Sequence, residues 1–145
     1  MIKILFICHG NICRSPMAEF MLRDMAEKAG AGDQFEIASA AVSTDEIGNP
    51  VYPPARKELA KHGIDCSGKT ARQITEEDLD YYDRIYYMDA HNRNWLEWHF
   101  GDKAAKCQKL LLRDVDDPWY TDNFSRTWID LTEGCEKILK EQGVC

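Results

Sequence analysis

The sequence predicts an α/β fold, a parallel sheet with helices on both faces. Two observations carry that prediction. Residues 2–7 form a continuous apolar run broken only by Lys3, the pattern of a strand buried on both sides. Beyond it, short apolar runs alternate with stretches of helical spacing, which implies crossover connections between parallel strands.

Taken in order, the first strand stops at Gly10-Asn11. Ser15-Pro16 then reads as an N-cap followed by proline at the first helical position. Met17, Phe20, Met21 and Met25 give the apolar spacing of a helix that runs to Gly30. Residues 35–38 read as a strand, 54–62 as a helix ended by Gly63, and 84–88 as a strand. Residues 92–99 read as a helix, 109–112 as a strand and 125–140 as a closing amphipathic helix. No repeat, low-complexity segment or linker interrupts the series, so residues 1–145 are expected to form one domain. The segments 39–53 and 113–124 are long for connections inside such an alternation, and long ordered loops are usually functional.

Composition narrows the function. A chain of 145 residues with 44% hydrophobic content has enough core to fold without disulfide or metal staples. No apolar run approaches the roughly 20 residues that span a bilayer, and the start MIKILFICHGN does not suit a secretory signal. A cytoplasmic location off the membrane is therefore expected, with the six scattered cysteines reduced. A net charge of −7 without a basic run argues against sequence-independent nucleic-acid binding, which depends on neutralising phosphates. A small phosphorylated substrate stays compatible where positive potential is concentrated locally.

The segment CHGNICRS lies where the first strand runs into a helix, the place at which parallel sheets bind ligands. Gly10 tolerates any backbone angle and Asn11 is among the few other residues that accept positive φ, so the turn can aim successive N–H groups inward as an anion cradle. That cradle, the helix dipole and Arg14 converge on one tetrahedral dianion. Cysteines at helix N-termini or beside a cation ionise below the ordinary ~8.5, so Cys8 is expected to be largely thiolate at neutral pH. It then becomes a nucleophile for phosphorus, with Arg14 on the equatorial oxygens and the Ser15 hydroxyl within reach of the sulfur. A cysteine or glycine alone would read as packing; the placement between a buried strand and a proline-started helix favours catalysis. Cys8, His9 and Cys13 lack zinc-knuckle spacing, and neither a metal nor a cofactor is expected.

Release of an aromatic alcohol needs a proton that a thiolate cannot supply. Asp116-Asp117-Pro118-Trp119-Tyr120 lies in the long loop after the last strand. Proline holds the preceding Asp117 extended, which suits a carboxyl set over a cleft, first as acid and then as base for water. Asp-Pro also opens ordinary turns, and without the first loop that reading would win.

With these residues in view, the chain resembles the low-molecular-weight protein tyrosine phosphatases. CHGNICRSPMAE and DPWY carry the resemblance, and SAAVSTDEIGNP, ARQIT and YYMDAHN extend it over nearly the whole length. It implies a four-stranded parallel sheet, Cys8 as nucleophile, Arg14 as phosphate clamp and Asp117 as general acid. It also implies that Asn11, Ser15 and Ser39 brace the phosphate loop, and that Cys13 can form a reversible disulfide with the nucleophile. His9, Gly10, Ile12, Trp119 and Tyr120 fall among the substrate-contacting positions. Lys69 stands where the family usually has a histidine supporting the loop, and Asp45 where many members place an aromatic against the substrate ring. An acidic Asp45 would favour peptides with basic flanks. Ile12 offers an apolar contact where relatives acting on phosphoarginine tend to have threonine, so phosphotyrosine proteins or small aryl phosphates are the expected partners.

Outside these motifs, Trp95, Trp98, His91 and His99 suggest the packed aromatic face of a helix, and Cys66, Cys107, Cys135 and Cys145 incidental thiols. Two other functions compete: an arsenate reductase, which needs a relay of close thiols that Cys66 does not begin, and a phosphotyrosine-binding module without turnover, against which Cys8, Arg14 and Asp117 together argue.

Overall fold

The computed structural model describes residues 1–144, so Cys145 lies outside the described residues. The chain runs β1 (Ile2–Cys8), α1 (Arg14–Lys28), β2 (Phe35–Ala41), α2 (Pro53–Lys61), α3 (Glu76–Tyr81) and β3 (Arg84–Tyr87). It continues through α4 (Ala90–Phe100), β4 (Cys107–Lys109), α5 (Pro118–Thr121) and α6 (Phe124–Glu141). The four strands form one sheet in the order β2-β1-β3-β4, and every pairing is parallel. Because the order reverses at β1, the loops after β1 and β3 open a crevice beyond the strands' carboxyl ends.

Strand periodicity sorts the core into two layers. Ile4, Phe6 and Cys8 of β1 join Met17, Met21, Leu59, Leu131 and Ile138 on the face covered by α1, α2 and α6. Leu5 and Ile7 point to the opposite face, with Leu79, Ile85, Tyr87 and Leu96 beneath α3 and α4.

Several boundaries differ from the sequence reading. Ser15 is not the cap of α1: the N-cap is Cys13, which makes no side-chain cap bond, and Ser15 lies inside the first turn, where its hydroxyl is drawn to Cys8. The last strand is Cys107–Lys109 rather than 109–112. Leu110 and Leu111 are buried after the strand has ended, and Leu112 is fully exposed. Strand β2 extends through Ala41, its small residues covered on both sides. Helix α3 has no counterpart in that reading; it is held by a capping box between Thr75 and Asp78. Trp95 packs partly against the second layer, whereas Trp98 is exposed instead of packed. Cys66 and Cys135 are buried, as packing thiols should be, and burial pushes the partly covered Cys107 up to about 11.

Leu110 and α6 meet closely at Gly134, where an added Cβ would lie 2.6 Å from the Leu110 Cγ. Overpacking of that kind costs about 1–3 kcal/mol, against roughly 1 kcal/mol gained by replacing a helical glycine with alanine. Gly134→Ala is therefore expected to destabilise the fold by a net of about 1 kcal/mol, read as a lower urea midpoint.

Candidate active site

The turn after β1 is built around Asn11, whose φ of 61° is left-handed. Gly10 is not in that region; its missing side chain matters sterically, since a Cβ there would meet Glu46 Cγ at 3.3 Å. Among the described residues, the main-chain N–H groups from His9 to Arg14 donate to no protein acceptor, although Asn11, Ile12, Cys13 and Arg14 are buried. Unpaired amides at a helix N-terminus form an anion site. The Ser15 N–H points at Cys8 Sγ, 3.4 Å away.

Behind the turn, a buried relay leads away from the sulfur. Asn11 Nδ2 donates both hydrogens, to Ser15 Oγ at 2.8 Å and to Ser39 Oγ at 2.9 Å, while its Oδ1 accepts from Arg72 N–H at 3.2 Å. Ser39 spends its own hydrogen on Glu19 Oε1 at 2.5 Å. Ser15 Oγ already accepts from Asn11, so its one hydrogen is free for Cys8 Sγ at 3.0 Å. With the Ser15 N–H, that hydroxyl places two groups able to donate beside the sulfur.

Glu19 anchors the far end. Its side chain is 4% exposed, a placement that demands counter-charge. Arg23 supplies it at 2.7 Å and Lys69 at 3.7 Å. Lys69 Nζ also donates to the Ser39 carbonyl at 3.0 Å, so the position that departs from the family pattern does support the loop. Burial lowers the Lys69 pKa, with Glu19 opposing that shift.

Arg14 is almost wholly buried. Its Nη1 donates to Asp89 Oδ2 at 2.6 Å and to the Val115 carbonyl at 2.8 Å, and Nη2 lies 3.3 Å from Asp117 Oδ2. Burial works against the Arg14 charge, but Cys8, Asp117 and Asp89 outweigh it and raise its pKa. Asp117 is extended, as the following proline requires, and its Oδ1 caps α5 through Trp119 N–H at 3.0 Å. Burial, then Cys8, push the Cys13 thiol up, so it stays protonated at neutral pH.

A cavity of about 220 Å³ opens above the sulfur, lined by Cys8, His9, Gly10, Ile12, Cys13, Arg14, Asp45, Glu46, Asp117, Trp119 and Tyr120. Of the residues singled out in the sequence, Asn11 and Ser15 do not line it; their side chains brace the turn from behind. Asp116 is exposed and outside it. His9 Nε2 and Asp45 Oδ2 meet at the mouth, 2.9 Å apart. Tyr52 backs the aromatic wall, its ring 4.8 Å from that of Trp119.

Asp89, Glu19, Glu46 and Tyr52 were not read from the sequence. Two of them left a signal. Asp89 with Asn92 is a cap at the end of the third apolar strand, on the same rim as the cysteine loop. Glu19 is a lone carboxylate on the apolar side of α1, four residues from Ser15.

Such a site can hold a tetrahedral dianion on free amides and a guanidinium, with a sulfur below and a carboxyl above. Among the described residues no group of His, Cys, Asp and Glu could hold a metal ion, and no helix is long and apolar enough to cross a membrane. A family model described as low molecular weight phosphotyrosine protein phosphatase matches residues 3–143. The low molecular weight protein-tyrosine-phosphatase YfkJ of Bacillus subtilis is 42% identical, over 96% of this chain and 94% of its own. The human low molecular weight phosphotyrosine protein phosphatase is 43% identical, with the same coverage of both chains. The crystal structure of YfkJ superposes with a TM-score of 0.93, covering 97% of this chain and 94% of that one.

Proposed function

The chain belongs to the low molecular weight phosphotyrosine protein phosphatase family, and from that premise we propose how its residues divide the work of the reaction. The protein is a protein tyrosine phosphatase, a phosphoric monoester hydrolase whose substrates carry phosphotyrosine. Cys8 Sγ attacks phosphorus in line, and Arg14 with the free amides from His9 to Arg14 holds the equatorial oxygens. As the S–P bond forms and the P–O bond to the tyrosyl oxygen breaks, Asp117 gives its proton to the leaving oxygen. Water then attacks phosphorus, Asp117 takes a proton from it, and the sulfur leaves.

The observation that carries this reading is the chain of contacts ending on the sulfur: Asn11 donates to Ser15 Oγ, which lies 3.0 Å from Cys8 Sγ with its hydroxyl hydrogen free to serve it. A hydroxyl donor stabilises the sulfur both as attacker and as leaving group. Acid quenching during turnover of an aryl phosphate, followed by peptide mapping, tests it. Phosphate covalently attached to Cys8 is expected; phosphate on another residue, or none under burst conditions, overturns the assignment.

Residues 1–145 act on this proposal as a single catalytic domain in the cytoplasm, where the free thiols Cys8, Cys13, Cys66, Cys107 and Cys135 stay reduced. Under peroxide, Cys13 would cap an oxidised Cys8 as a reversible disulfide. Ile12, Trp119 and Tyr120 form an apolar slot that suits a phenyl ring better than a guanidinium. Asp45, at the mouth, favours basic residues beside the phosphotyrosine. Asp45→Trp is expected to re-rank phosphopeptides by several-fold in kcat/KM against those with basic flanks; an unchanged ranking would exclude that role.

A further inference from the structure

The loop that carries Asp117 leaves β4 and returns to α6, and α6 holds it at both ends. At the far end Asn123 caps α6 by accepting the Arg126 N–H at 3.0 Å. At the near end Arg113 reaches α6, with Nη2 2.8 Å from Asp130 Oδ1 and 3.0 Å from Glu133 Oε1, and Nη1 3.3 Å from Glu133 Oε2. Asp130 is buried, and Arg126 meets the same oxygen at 3.2 Å, so this carboxylate is paired twice. The hydrogen bonds from Arg113 also hold the Glu133 carboxyl below its ordinary range.

The stretch from Arg113 to Asp117 is anchored at successive residues. Lys109 pairs with Asp114 at 2.6 Å, tying it to β4. The Val115 side chain is fully buried, its N–H donates to the Met88 carbonyl at 3.0 Å, and its carbonyl accepts from Arg14. Arg113, Asp114 and Val115 are thus anchored in succession, and only Asp116 separates the last of these anchors from Asp117.

We propose that Arg113 is a positioning residue: by clamping the start of this loop to Asp130 and Glu133 of α6, it sets where Asp117 stands over the cavity. The proposal rests on the reading of Asp117 as the acid and base, and it predicts a signature that a merely stabilising ion pair lacks. Misplacing a proton donor matters in proportion to how much the leaving group needs the proton, so the defect should grow as the leaving alcohol becomes more basic.

The test is kcat/KM, which reports formation of cysteinyl-phosphate, across a series of aryl phosphates from 4-nitrophenyl to phenyl, for Arg113→Ala with and without Asp117→Ala. Arg113→Ala is expected to lower kcat/KM for phenyl phosphate about tenfold and for 4-nitrophenyl phosphate far less. In the Asp117→Ala background it should add nothing, because the group it positions is gone. Equal slowing across the series, or a full additional loss in that background, overturns the positioning role. Arg113→Lys and Glu133→Gln leave Asp130 paired with Arg126 and should show smaller defects with the same leaving-group slope, which keeps the test decisive should the alanine variant fold poorly. If Asp117→Ala itself leaves the leaving-group dependence unchanged, the assignment of the acid fails. If it steepens that dependence while the Arg113 variants do not, the positioning role alone fails.

Discussion

Cys8→Ser is expected to reduce phosphate release from phenyl phosphate by roughly 10⁴-fold or more while leaving inorganic phosphate or vanadate able to bind. The two halves of that result have separate causes. Turnover fails because a serine hydroxyl does not ionise near neutral pH, and Ser15, a neutral hydroxyl whose oxygen already accepts from Asn11, offers no base to activate it. Binding persists because the N–H groups from His9 to Arg14 and the Arg14 guanidinium are untouched, and those donors supply the attraction for a dianion. Steady-state hydrolysis alongside calorimetric titration with vanadate reads both halves. Substantial turnover by the serine variant would rule out the cysteinyl-phosphate route. Loss of oxyanion binding with a native circular dichroism spectrum would show that the sulfur, not the amide cradle, holds the ligand.

The parts of this site legible in the sequence are those whose reason is local. Cys8, Gly10, Asn11 and Arg14 lie within one turn between a buried strand and a helix, and each has a backbone or chemical reason to be there. The brace behind them is not local. Ser39 lies 28 residues from Asn11, and Asp89 lies 75 from Arg14, so their meeting depends on β1 pairing with both β2 and β3. Glu19 became interpretable only with Lys69 and Arg23 around it. Fold boundaries follow the same logic. The apolar residues Leu110 and Leu111 suggested a strand, but Leu110 is buried by contact with α6 after β4 has already ended. Ser15-Pro16 looked like a cap because serine before proline usually is one; the helix instead begins two residues earlier and turns the hydroxyl inward.

Asp117→Ala is expected to slow phenyl phosphate by about 10²–10⁴-fold, the span typical of a lost general acid. Its carboxyl is held over the cavity from two sides, Oδ1 by the Trp119 N–H at the start of α5 and Oδ2 by Arg14 Nη2 at 3.3 Å. With 4-nitrophenyl phosphate the departing oxygen is weakly basic and needs little proton assistance, so formation of cysteinyl-phosphate should be slowed far less. Its hydrolysis still requires a base for water, and in the variant that second step becomes limiting. Rapid mixing should then show a burst of nitrophenol stoichiometric with enzyme, followed by a slow steady state, and this combination separates loss of the acid from general damage to the pocket. Asp116→Ala, a change at an exposed residue outside the cavity, should leave both phases intact. Equal slowing of both substrates without a burst would mean that the proton comes from elsewhere and that Asp117 serves Arg14 alone.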